Sequence, residues 1–508
     1  MELPLTPLDL LARARRLFAD RVGVIDGDQA WTYAEFAERC DRLAHLLRRE
    51  LEVQPGDVVA WLCGNTHELL EAYYGVLLAG GVLLPLNIRL APAELRAILD
   101  DSGAVVLFRH ADQPDPEHPV RTVTLGPTYD AMLARQPAEP AAAPAVDERA
   151  PAELFYTSGS TGTPKGALLS HRGLYLHAIH SALTMGLSGD DVVLHTIPLF
   201  HVNGWGTPHY VTGLGGVHVL LPRFDAAEVL RLIEAHRVTR LFLVPTMARI
   251  LLDHTEAHTR DLSSVVQISV GGASAGPDLL AQLEATFGCP CICGYGMTES
   301  GPTLTRSLPK PGSPSTTSQR ATTGLPILGV DVRVLDAEDT EVPWDRTTVG
   351  EVCARSNHVM IGYLGAPEET AEVLRGGWLR TGDLAVVDSA GYLTIIDRAK
   401  DLIISGGENV ASVEVEHALA AHPAVHEVAV VGVSDGRWGE VSWAYVSLKD
   451  GVHATEHDLI VWVQERLAGF KVPKHILILE ELPKGGTGKI QKSALRGLAS
   501  GAAEPPSP

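Results

Sequence analysis

A run of hydroxyl side chains and glycines closed by a lysine, Phe155–Gly166, most constrains this chain. Its order is Phe-Tyr-Thr-Ser-Gly-Ser-Thr-Gly-Thr-Pro-Lys-Gly. Its backbone N–H groups, hydroxyls and lysine charge together suit a polyphosphate. Apolar residues 154–156 lead in and apolar residues 167–169 lead out, so the run predicts a phosphate loop between two strands. A Walker P-loop differs, because it leads into a helix and has Ser or Thr where this chain has Gly166.

The net charge limits the partners of the chain. With 508 residues it is too long for one ordinary core, and we expect a large body with at least one further domain. Its formal net charge is -21, which disfavours nucleic acid or an anionic membrane as the main partner because both would be repelled. Local lysines and arginines must therefore hold any anionic ligand. Oligomeric state stays open between monomer and homodimer.

The cysteines indicate a reduced compartment. Cys289, Cys291 and Cys293 alternate along one predicted strand and lack the CxxC spacing of zinc or redox sites. We expect buried free thiols and a cytoplasmic protein. Residues 1–20 predict an amphipathic helix rather than a signal peptide, and no apolar run approaches the length of a membrane span.

Alternation of helical and strand-like segments from residue 31 to 295 predicts an α/β fold of parallel sheets covered by helices. In such sheets ligands bind beyond the carboxyl ends of the strands. Two glycine turns, Gly271-Gly272 and Gly294-Tyr295-Gly296, follow predicted strands and are candidate ligand contacts. A purely structural turn is the alternative for each of them.

Composition changes towards the C-terminus predict the domain organisation. Short strands and glycine turns over residues 332–396 indicate a small β-rich subdomain, and a compact α+β unit follows. We expect a large N-terminal domain over 1–396, a hinge over 397–400 and a small mobile C-terminal domain over 401–508.

Five motifs in order resemble those of the adenylate-forming superfamily, which includes acyl-CoA synthetases, firefly luciferase and peptide-synthetase adenylation domains. The loop at 156–166 is similar to its phosphate loop. The other matching segments are Gly294-Tyr-Gly-Met-Thr-Glu299, Trp378-Leu-Arg-Thr-Gly-Asp383, Asp397-Arg-Ala-Lys-Asp401 and Pro483-Lys-Gly-Gly-Thr-Gly-Lys489. The resemblance covers nearly the whole chain.

The resemblance implies that a carboxylate attacks the α-phosphate of ATP and expels pyrophosphate. Cations and N–H donors around the phosphates are the main catalytic device for such a meeting of anions. It implies Mg²⁺ bound by Thr161 and Glu299, and an α-phosphate contact from Thr298. The remaining nucleotide contacts that it implies are Thr157, Ser158, Gly159, Ser160, Thr161, Gly162 and Lys165 for the phosphates, Gly272, Ala273, Gly294, Tyr295 and Gly296 around adenine, and Asp383 and Arg398 for the ribose.

A second step follows by the same resemblance. Lys489 bridges the substrate carboxylate and the α-phosphate, and the C-terminal domain then rotates about Lys400. Rotation brings Ser405, Gly406 and Gly407 to the site, where glycines let the pantetheine arm of coenzyme A pass close to the backbone. Lys489 and Lys400 are solvated surface lysines if the resemblance is set aside.

The segment Pro198–Gly206 resembles the acyl-pocket motif of the family, with His201 at the position of an aromatic gate. Amino-acid-activating modules have an aspartate there, so an amino-acid substrate is disfavoured. Pocket candidates are Asn203, Gly204, Thr207, Gly271 and Ala273. The motif is most similar to medium- and long-chain fatty acyl-CoA synthetases, with an aromatic, branched or dicarboxylic acid as the alternative.

Three other functions share some of these features. A luciferase-like enzyme or an acyl-AMP ligase that loads a carrier protein shares the first half-reaction. A P-loop kinase or ATPase releases ADP instead of AMP. A nucleotide-binding scaffold without turnover has little use for Glu299 and Lys489 together.

Overall fold

The computed structural model describes residues 3–142, 144–158, 164–312, 315–405, 408–435, 437–484 and 490–502, with Ser158, Asn409 and residues 500–502 described by backbone alone. Contacts between residues divide the chain into two compact units. The first is Met1–Val332 with Ala354–Arg380, and the second is Arg333–Cys353 with Thr381–Pro508.

The N-terminal part of the first unit alternates helices and strands as predicted. Its elements are α1 (Pro7–Leu17), β1 (Val22–Asp26), β2 (Gln29–Thr32), α2 (Tyr33–Arg49), β3 (Val58–Leu62), α3 (His67–Ala79), β4 (Val82–Pro85), α4 (Pro92–Ser102), β5 (Val106–Arg109), β6 (Arg121–Thr124), α5 (Pro127–Ala134), β7 (Pro151–Ser158) and β8 (Pro164–Ser170).

The alternation continues beyond β8. The next elements are α6 (His171–Met185), β9 (Val192–His195), α7 (Val202–Leu214), β10 (Val217–Leu220), α8 (Ala226–His236), β11 (Arg240–Leu243), α9 (Pro245–Asp253), β12 (Gln267–Val270), α10 (Pro277–Phe287), β13 (Cys291–Tyr295), β14 (Thr305–Arg306), α11 (Thr317–Arg320) and β15 (Leu325–Pro326). Short 3₁₀ turns cover Thr255–His258 and Thr298–Ser300. The Ser170 side chain caps α6 by accepting from the Gly173 N–H, a role for which serine is well suited.

Short strands dominate the following segment, and the compact α+β segment closes the chain. These elements are β16 (Val330–Leu335), β17 (Gly350–Ser356), β18 (Gly362–Tyr363), α12 (Pro367–Val373), β19 (Leu379–Val387), β20 (Leu393–Arg398), β21 (Ile403–Ser405), β22 (Glu408–Val410), α13 (Ser412–Ala420), β23 (Val425–Asp435), β24 (Gly439–Leu448), α14 (Glu456–Gln464), β25 (His475–Ile478) and α15 (Lys492–Ala502).

Two large sheets carry the first unit. One has the order β18-β8-β7-β4-β3-β5-β6, and the other has the order β15-β14-β13-β12-β11-β9-β10-β1-β2. Pairing is parallel across β7-β4-β3-β5-β6 and across β13-β12-β11-β9-β10-β1, and antiparallel at the remaining edges. Parallel strands need both faces covered, and apolar residues such as Val59, Leu194 and Ile268 are fully buried. The predicted α/β class is confirmed.

The short strands form a sheet in the order β16-β17-β19-β20, and the C-terminal strands form another in the order β22-β21-β24-β23, with β25 paired to β24. Both predicted small substructures are therefore present. The grouping by contacts nevertheless differs from a boundary at 396, because residues 333–353 and 381–396 group with the C-terminal region. Pairing of β19 with β20 supplies the reason, since it joins Asp383 directly to Arg398 across the predicted boundary.

All the cysteines lie buried with free thiols, including Cys289, Cys291 and Cys293. Within the described residues, none of the helices combines the length and apolar character that crossing a membrane requires.

Candidate active site

The phosphate-loop segment is the turn of a β-hairpin. β7 and β8 pair antiparallel, with Thr157 opposite Lys165 and Ser158 opposite Pro164. The loop therefore joins two strands, which confirms the prediction and excludes a strand-to-helix P-loop at this position. Gly159, Ser160, Thr161 and Gly162 lie outside the described residues.

Glu299 lies at the turn end of this hairpin, against Thr157. It is buried in the Thr298–Ser300 turn, beside buried Thr298. Its Oε1 accepts hydrogen bonds from the Thr157 hydroxyl at 3.3 Å and from the Tyr363 hydroxyl at 2.9 Å. Burial and the Glu299 charge raise the pKa of Tyr363, so that hydroxyl stays a donor at neutral pH. Two neutral donors on one oxygen orient the carboxylate, and its interactions with the described residues include no ion pair, which suits a hard cation.

Lys165 brings a positive charge to the same place. Its Nζ lies 5.4 Å from the centroid of the Tyr363 ring, within the range of a cation–π contact. Thr157, Lys165, Glu299 and Tyr363 thus form one group that can hold a phosphate and its counter-ion. Sequence reasoning missed Tyr363, although its place in β18, directly beside β8, follows once the sheet is known.

The two predicted glycine turns lie next to each other at the carboxyl ends of β12 and β13. Val270 pairs with Cys293, so Gly271 and Gly294 follow on adjacent strands. Gly272 has φ +77°, a conformation that favours glycine, and a Cβ at Gly296 would lie 1.9 Å from the Pro302 carbonyl oxygen. These two glycines are therefore required by the backbone itself. Tyr295 is half-buried in β13 and Ala273 is exposed.

The predicted acyl segment begins α7 with left-handed backbone. Half-buried His201 precedes it. Left-handed backbone costs roughly 1–2 kcal/mol for each residue other than glycine. The values of φ are 38° at Val202, 44° at Asn203, 53° at Gly204, 67° at Trp205 and 89° at Gly206. Such strain persists only where surrounding contacts determine it.

A cluster of Glu153, Asn203 and His209, here the Glu153 cluster, supplies one such set of contacts. The Asn203 amide donates to Glu153 Oε2 at 2.8 Å, and His209 Nε2 donates to Glu153 Oε1 at 2.7 Å. These side chains are at most 1% exposed. Asn203, predicted to line the acyl pocket, therefore contacts Glu153 of β7, which sequence reasoning missed.

A second buried group, a series of hydrogen bonds between side chains, holds Thr207, another predicted pocket residue. Its Oγ1 lies 3.2 Å from His195 Nδ1, and His195 Nε2 lies 2.9 Å from His218 Nδ1. Burial lowers the pKa of His195 to about 3 and that of His218 well below its usual value, so both rings are neutral. His218 Nε2 ends the series at Thr212 Oγ1, 3.0 Å away.

Trp205 closes the space beside the glycine turns. A Cβ at Gly271 would lie 3.0 Å from Trp205 Cη2 and 3.2 Å from the Gly294 carbonyl oxygen. The indole also meets the Phe242 ring edge-on, with centroids 6.3 Å apart. Gly271 and the Trp205 ring are thereby brought together, while buried Gly204 lies against Leu199 and Thr207.

Within the second unit, Asp383 and Arg398 form an ion pair. Arg398 Nε lies 3.1 Å from Asp383 Oδ1, with Asp383 buried and Arg398 exposed. Lys400 is exposed, and Ser405 pairs with Glu408 and Gly439. Gly406, Gly407 and Lys489 lie outside the described residues.

Comparison with known proteins agrees with this geometry. The family model described as AMP-binding enzyme matches residues 11–364, and the model of the AMP-binding enzyme C-terminal domain matches residues 414–489. The chain is 39% identical to a feruloyl-CoA synthase of Amycolatopsis sp, over 95% of this chain and 97% of that protein. It is 36% identical to 4-hydroxybutyrate--CoA ligase 2 of Metallosphaera sedula, over 97% and 94%.

A solved structure extends the likeness to the whole fold. The o-succinylbenzoate CoA synthetase of Bacillus subtilis, in complex with its acyl-adenylate intermediate, matches with a TM-score of 0.86 and 32% identity, over 98% of both chains. ATP use and coenzyme A as acyl acceptor follow. The chain belongs to the AMP-binding enzymes of the adenylate-forming superfamily and is an AMP-forming acid–CoA ligase.

Proposed function

We propose that this ligase activates a compact carboxylic acid, aromatic or short, as its acyl-adenylate and then transfers the acyl group to coenzyme A. The main support for this proposal is the group at the turn end of the hairpin. There Thr157 and Tyr363 orient the Glu299 carboxylate, and the Lys165 ammonium lies over the Tyr363 ring. This arrangement suits a cation-bound polyphosphate, and the attacking carboxylate is that of the acid substrate.

The acid proposed here departs from the medium- or long-chain fatty acid favoured by sequence resemblance. Relatives named for ferulate and 4-hydroxybutyrate support the alternative expectation instead. The position of the Trp205 indole next to Gly271 also supports a compact acid, because this wide ring lies against the glycine turn and limits the space for a long acyl chain.

In the first half-reaction the acid's carboxylate attacks the α-phosphate and pyrophosphate leaves. Lys165 and the hairpin N–H groups bind the phosphates and stabilise the charge that moves onto the leaving group. The Glu299 carboxylate and the predicted Thr161 would hold Mg²⁺, which would neutralise phosphate charge. Thr298 is proposed to contact the α-phosphate, and Gly272, Tyr295 and their neighbours to bind adenine.

The second unit is proposed to complete the chemistry. Asp383 and Arg398 bind the ribose hydroxyls, and Lys489 bridges the acid and the α-phosphate. Rotation about Lys400 then brings Ser405, Gly406 and Gly407 to the site for attack by the thiol of coenzyme A. His201 is proposed to separate the acid pocket from the thiol path.

A screen of aromatic, short, branched, dicarboxylic and fatty acids for CoA-dependent AMP release tests this function. We expect acid-dependent ATP–pyrophosphate exchange and AMP as the nucleotide product. Failure with every acid would overturn the ligase proposal, ADP as product would indicate a kinase or ATPase, and transfer only to a holo-carrier protein would indicate a carrier-loading ligase.

The Lys489→Ala variant tests the two-step account. We expect loss of adenylation on the order of 100-fold or more, with much smaller loss in thioester formation from preformed acyl-adenylate. Lys484→Ala is the matched control, because Lys484 lies in the same segment and its Nζ pairs with Glu427 at 3.0 Å. Equal loss in both half-reactions would contradict domain rotation.

A further inference from the structure

Arg306 is buried directly opposite a glycine of the predicted site. It lies in β14 and pairs with Gly294 of β13, and it is 3% exposed. Side chains of directly opposite residues share one face of a sheet. A Cβ at Gly294 would lie 2.6 Å from Arg306 Nη1 and 3.0 Å from Cζ, so the missing side chain of Gly294 is what gives the guanidinium its place.

The Arg306 guanidinium has no counter-ion within the part of the chain that the structure describes. No carboxylate there forms an ion pair with it, and no acceptor there takes a hydrogen bond from it. Burial lowers the pKa of Arg306, yet a guanidinium keeps its proton at neutral pH. Two other well-covered arginines contrast with it, since Arg240 pairs with Asp191 at 2.7 Å and Arg320 with Glu284 at 2.8 Å.

The neighbours of Arg306 are polar and uncharged. The buried Tyr210 hydroxyl has no hydrogen-bond partner among the described residues, and the Arg306 charge acts on it. Burial, together with His358 and Arg306, lowers the pKa of His177, and burial lowers the pKa of His358 to about 4. These rings are neutral at pH 7 and leave the guanidinium charge unbalanced. A buried charge is ordinarily paired, so a ligand is the natural source of the missing anion.

Arg306 also lies beside the space assigned to the acid. The guanidinium lies over Gly294. The carbonyl oxygen of Gly294 is 3.2 Å from the place that a Cβ at Gly271 would occupy, and the Trp205 ring borders that same place. On the other side, a Cβ at Gly206 would lie 2.5 Å from His177 Cε1. The left-handed turn, the glycine turns and the guanidinium thus border one region.

We propose that Arg306 and the Tyr210 hydroxyl, here the Arg306 site, bind a second carboxylate of the acid substrate, at the end remote from the carboxylate that is activated. The substrate class is then a compact dicarboxylic acid. This inference rests on the proposed ligase function. A single guanidinium with a hydroxyl can bind one carboxylate through charge-assisted hydrogen bonds, and no second arginine is needed.

Matched pairs of acids test the proposal, such as benzoate with isophthalate and terephthalate, and butyrate with succinate and glutarate. In wild-type enzyme we expect kcat/KM to be higher for at least one diacid than for its monoacid partner. In Arg306→Gln we expect kcat/KM for that diacid to fall on the order of 100-fold while the value for the monoacid is unchanged or raised. Arg306→Lys should keep part of the preference, and Tyr210→Phe should weaken it about tenfold.

Arg249→Gln is the control, since it makes the same charge change at a half-buried arginine whose guanidinium donates to the Gln282 side chain at 3.1 Å. An equal fall for monoacids and diacids in Arg306→Gln would show a structural role and overturn the proposal. Wild-type preference for an acid with a remote hydroxyl over the matched diacid would overturn it as well.

Equilibrium binding separates this inference from the ligase function. Calorimetry of each diacid with wild type and Arg306→Gln in the presence of a non-hydrolysable ATP analogue reports the site without turnover. Diacid binding that is lost in Arg306→Gln supports the site even where no acid is adenylated, and that outcome would overturn only the ligase proposal. Equal diacid affinities, or no diacid binding by wild type, would overturn the site.

Discussion

The Glu153 cluster and the Arg306 site are both built from buried polar side chains of the first unit, and they differ in whether the chain supplies the anion. Glu153 gives both of its oxygens to partners of its own chain, Asn203 and His209. Arg306 and Tyr210 lack such partners among the described residues. The Glu153 charge is thus held within the chain and fixes the backbone of the turn at 202–206. Arg306 and Tyr210, by contrast, are proposed to receive their anion from the substrate.

Removal of Glu153 should have the largest effect on stability. Glu153→Ala leaves the buried Asn203 amide and His209 ring without their acceptor, and it frees the strained turn at 202–206. We expect the free energy of unfolding to fall by about 3 kcal/mol in urea titrations followed by tryptophan fluorescence. Glu153→Gln keeps an acceptor oxygen and should lose less. If Glu153→Ala has the same free energy of unfolding as wild type, the Glu153 cluster does not stabilise the fold and the contrast with the Arg306 site fails.

Acid should weaken the region beside the Arg306 site through His358. Burial lowers the pKa of this ring to about 4, and its Nδ1 donates to the Ser300 carbonyl at 2.9 Å. Below pH 6.5 the His358 ring is protonated in the unfolded chain but stays neutral in the folded protein. The free energy of unfolding is therefore highest above pH 6.5 and falls as the pH drops towards 4. We expect a loss of about 2 kcal/mol at pH 5 relative to pH 7 from this ring.

The measurement is thermal unfolding of wild type and His358→Asn across pH 5 to 7.5. The variant should show a flatter pH dependence, while His457→Gln, at an exposed histidine of α14, should keep the wild-type slope. Identical slopes for wild type and His358→Asn would refute the account.

Neutralising Arg306 should act on stability in the opposite direction. Arg306→Met removes an unpaired buried charge and keeps the volume, so without ligand we expect a gain of about 1 kcal/mol in the free energy of unfolding. Addition of a bound diacid should reverse the order by stabilising wild type alone. Destabilisation of the ligand-free variant by as much as Glu153→Ala would place Arg306 among the structural groups.

The smallest effect is expected at Tyr210. Tyr210→Phe removes a buried hydroxyl that has no partner in the described structure, so ligand-free stability should change by less than about 0.5 kcal/mol. Tyr33→Phe is the contrasting variant, because the Tyr33 hydroxyl donates to the Gly216 carbonyl at 2.7 Å and its loss should cost about 1 kcal/mol.

Local signals in the sequence predicted the elements that depend on local physics. The alternation of helical and strand-like segments predicted the α/β class, and apolar flanks predicted the β7–β8 hairpin. Pairs that depend on the tertiary fold were not predicted. Glu153 meets His209 across 56 positions, and Arg306 became significant only when β14 was found opposite Gly294.

The turn at 202–206 shows the same limit. Asn203, Gly204 and Gly206 accept left-handed backbone readily, but Val202 and Trp205 disfavour it. The contact of Asn203 with Glu153 and the packing of Trp205, which depend on the tertiary fold, help to hold the whole turn in this conformation. The assignment of a fatty acid had a related weakness. The motif around His201 resembles that of the family, whereas we propose that the acid is selected by side chains such as Trp205 and Arg306, which come from separate helices and strands.

β7 carries Glu153 and Thr157 four positions apart, and residues at such spacing on a strand point to the same side. Glu153 contacts Asn203 in the turn at 202–206, and Thr157 contacts Glu299, so a strand span of roughly 13 Å joins the proposed acid region to the proposed phosphate region. Under the proposed function, this strand would fix the distance between the acid and the nucleotide. Loops around the site can change in length without altering this distance, but a single residue inserted within β7 would turn one anchor to the opposite face and separate the acid from the nucleotide.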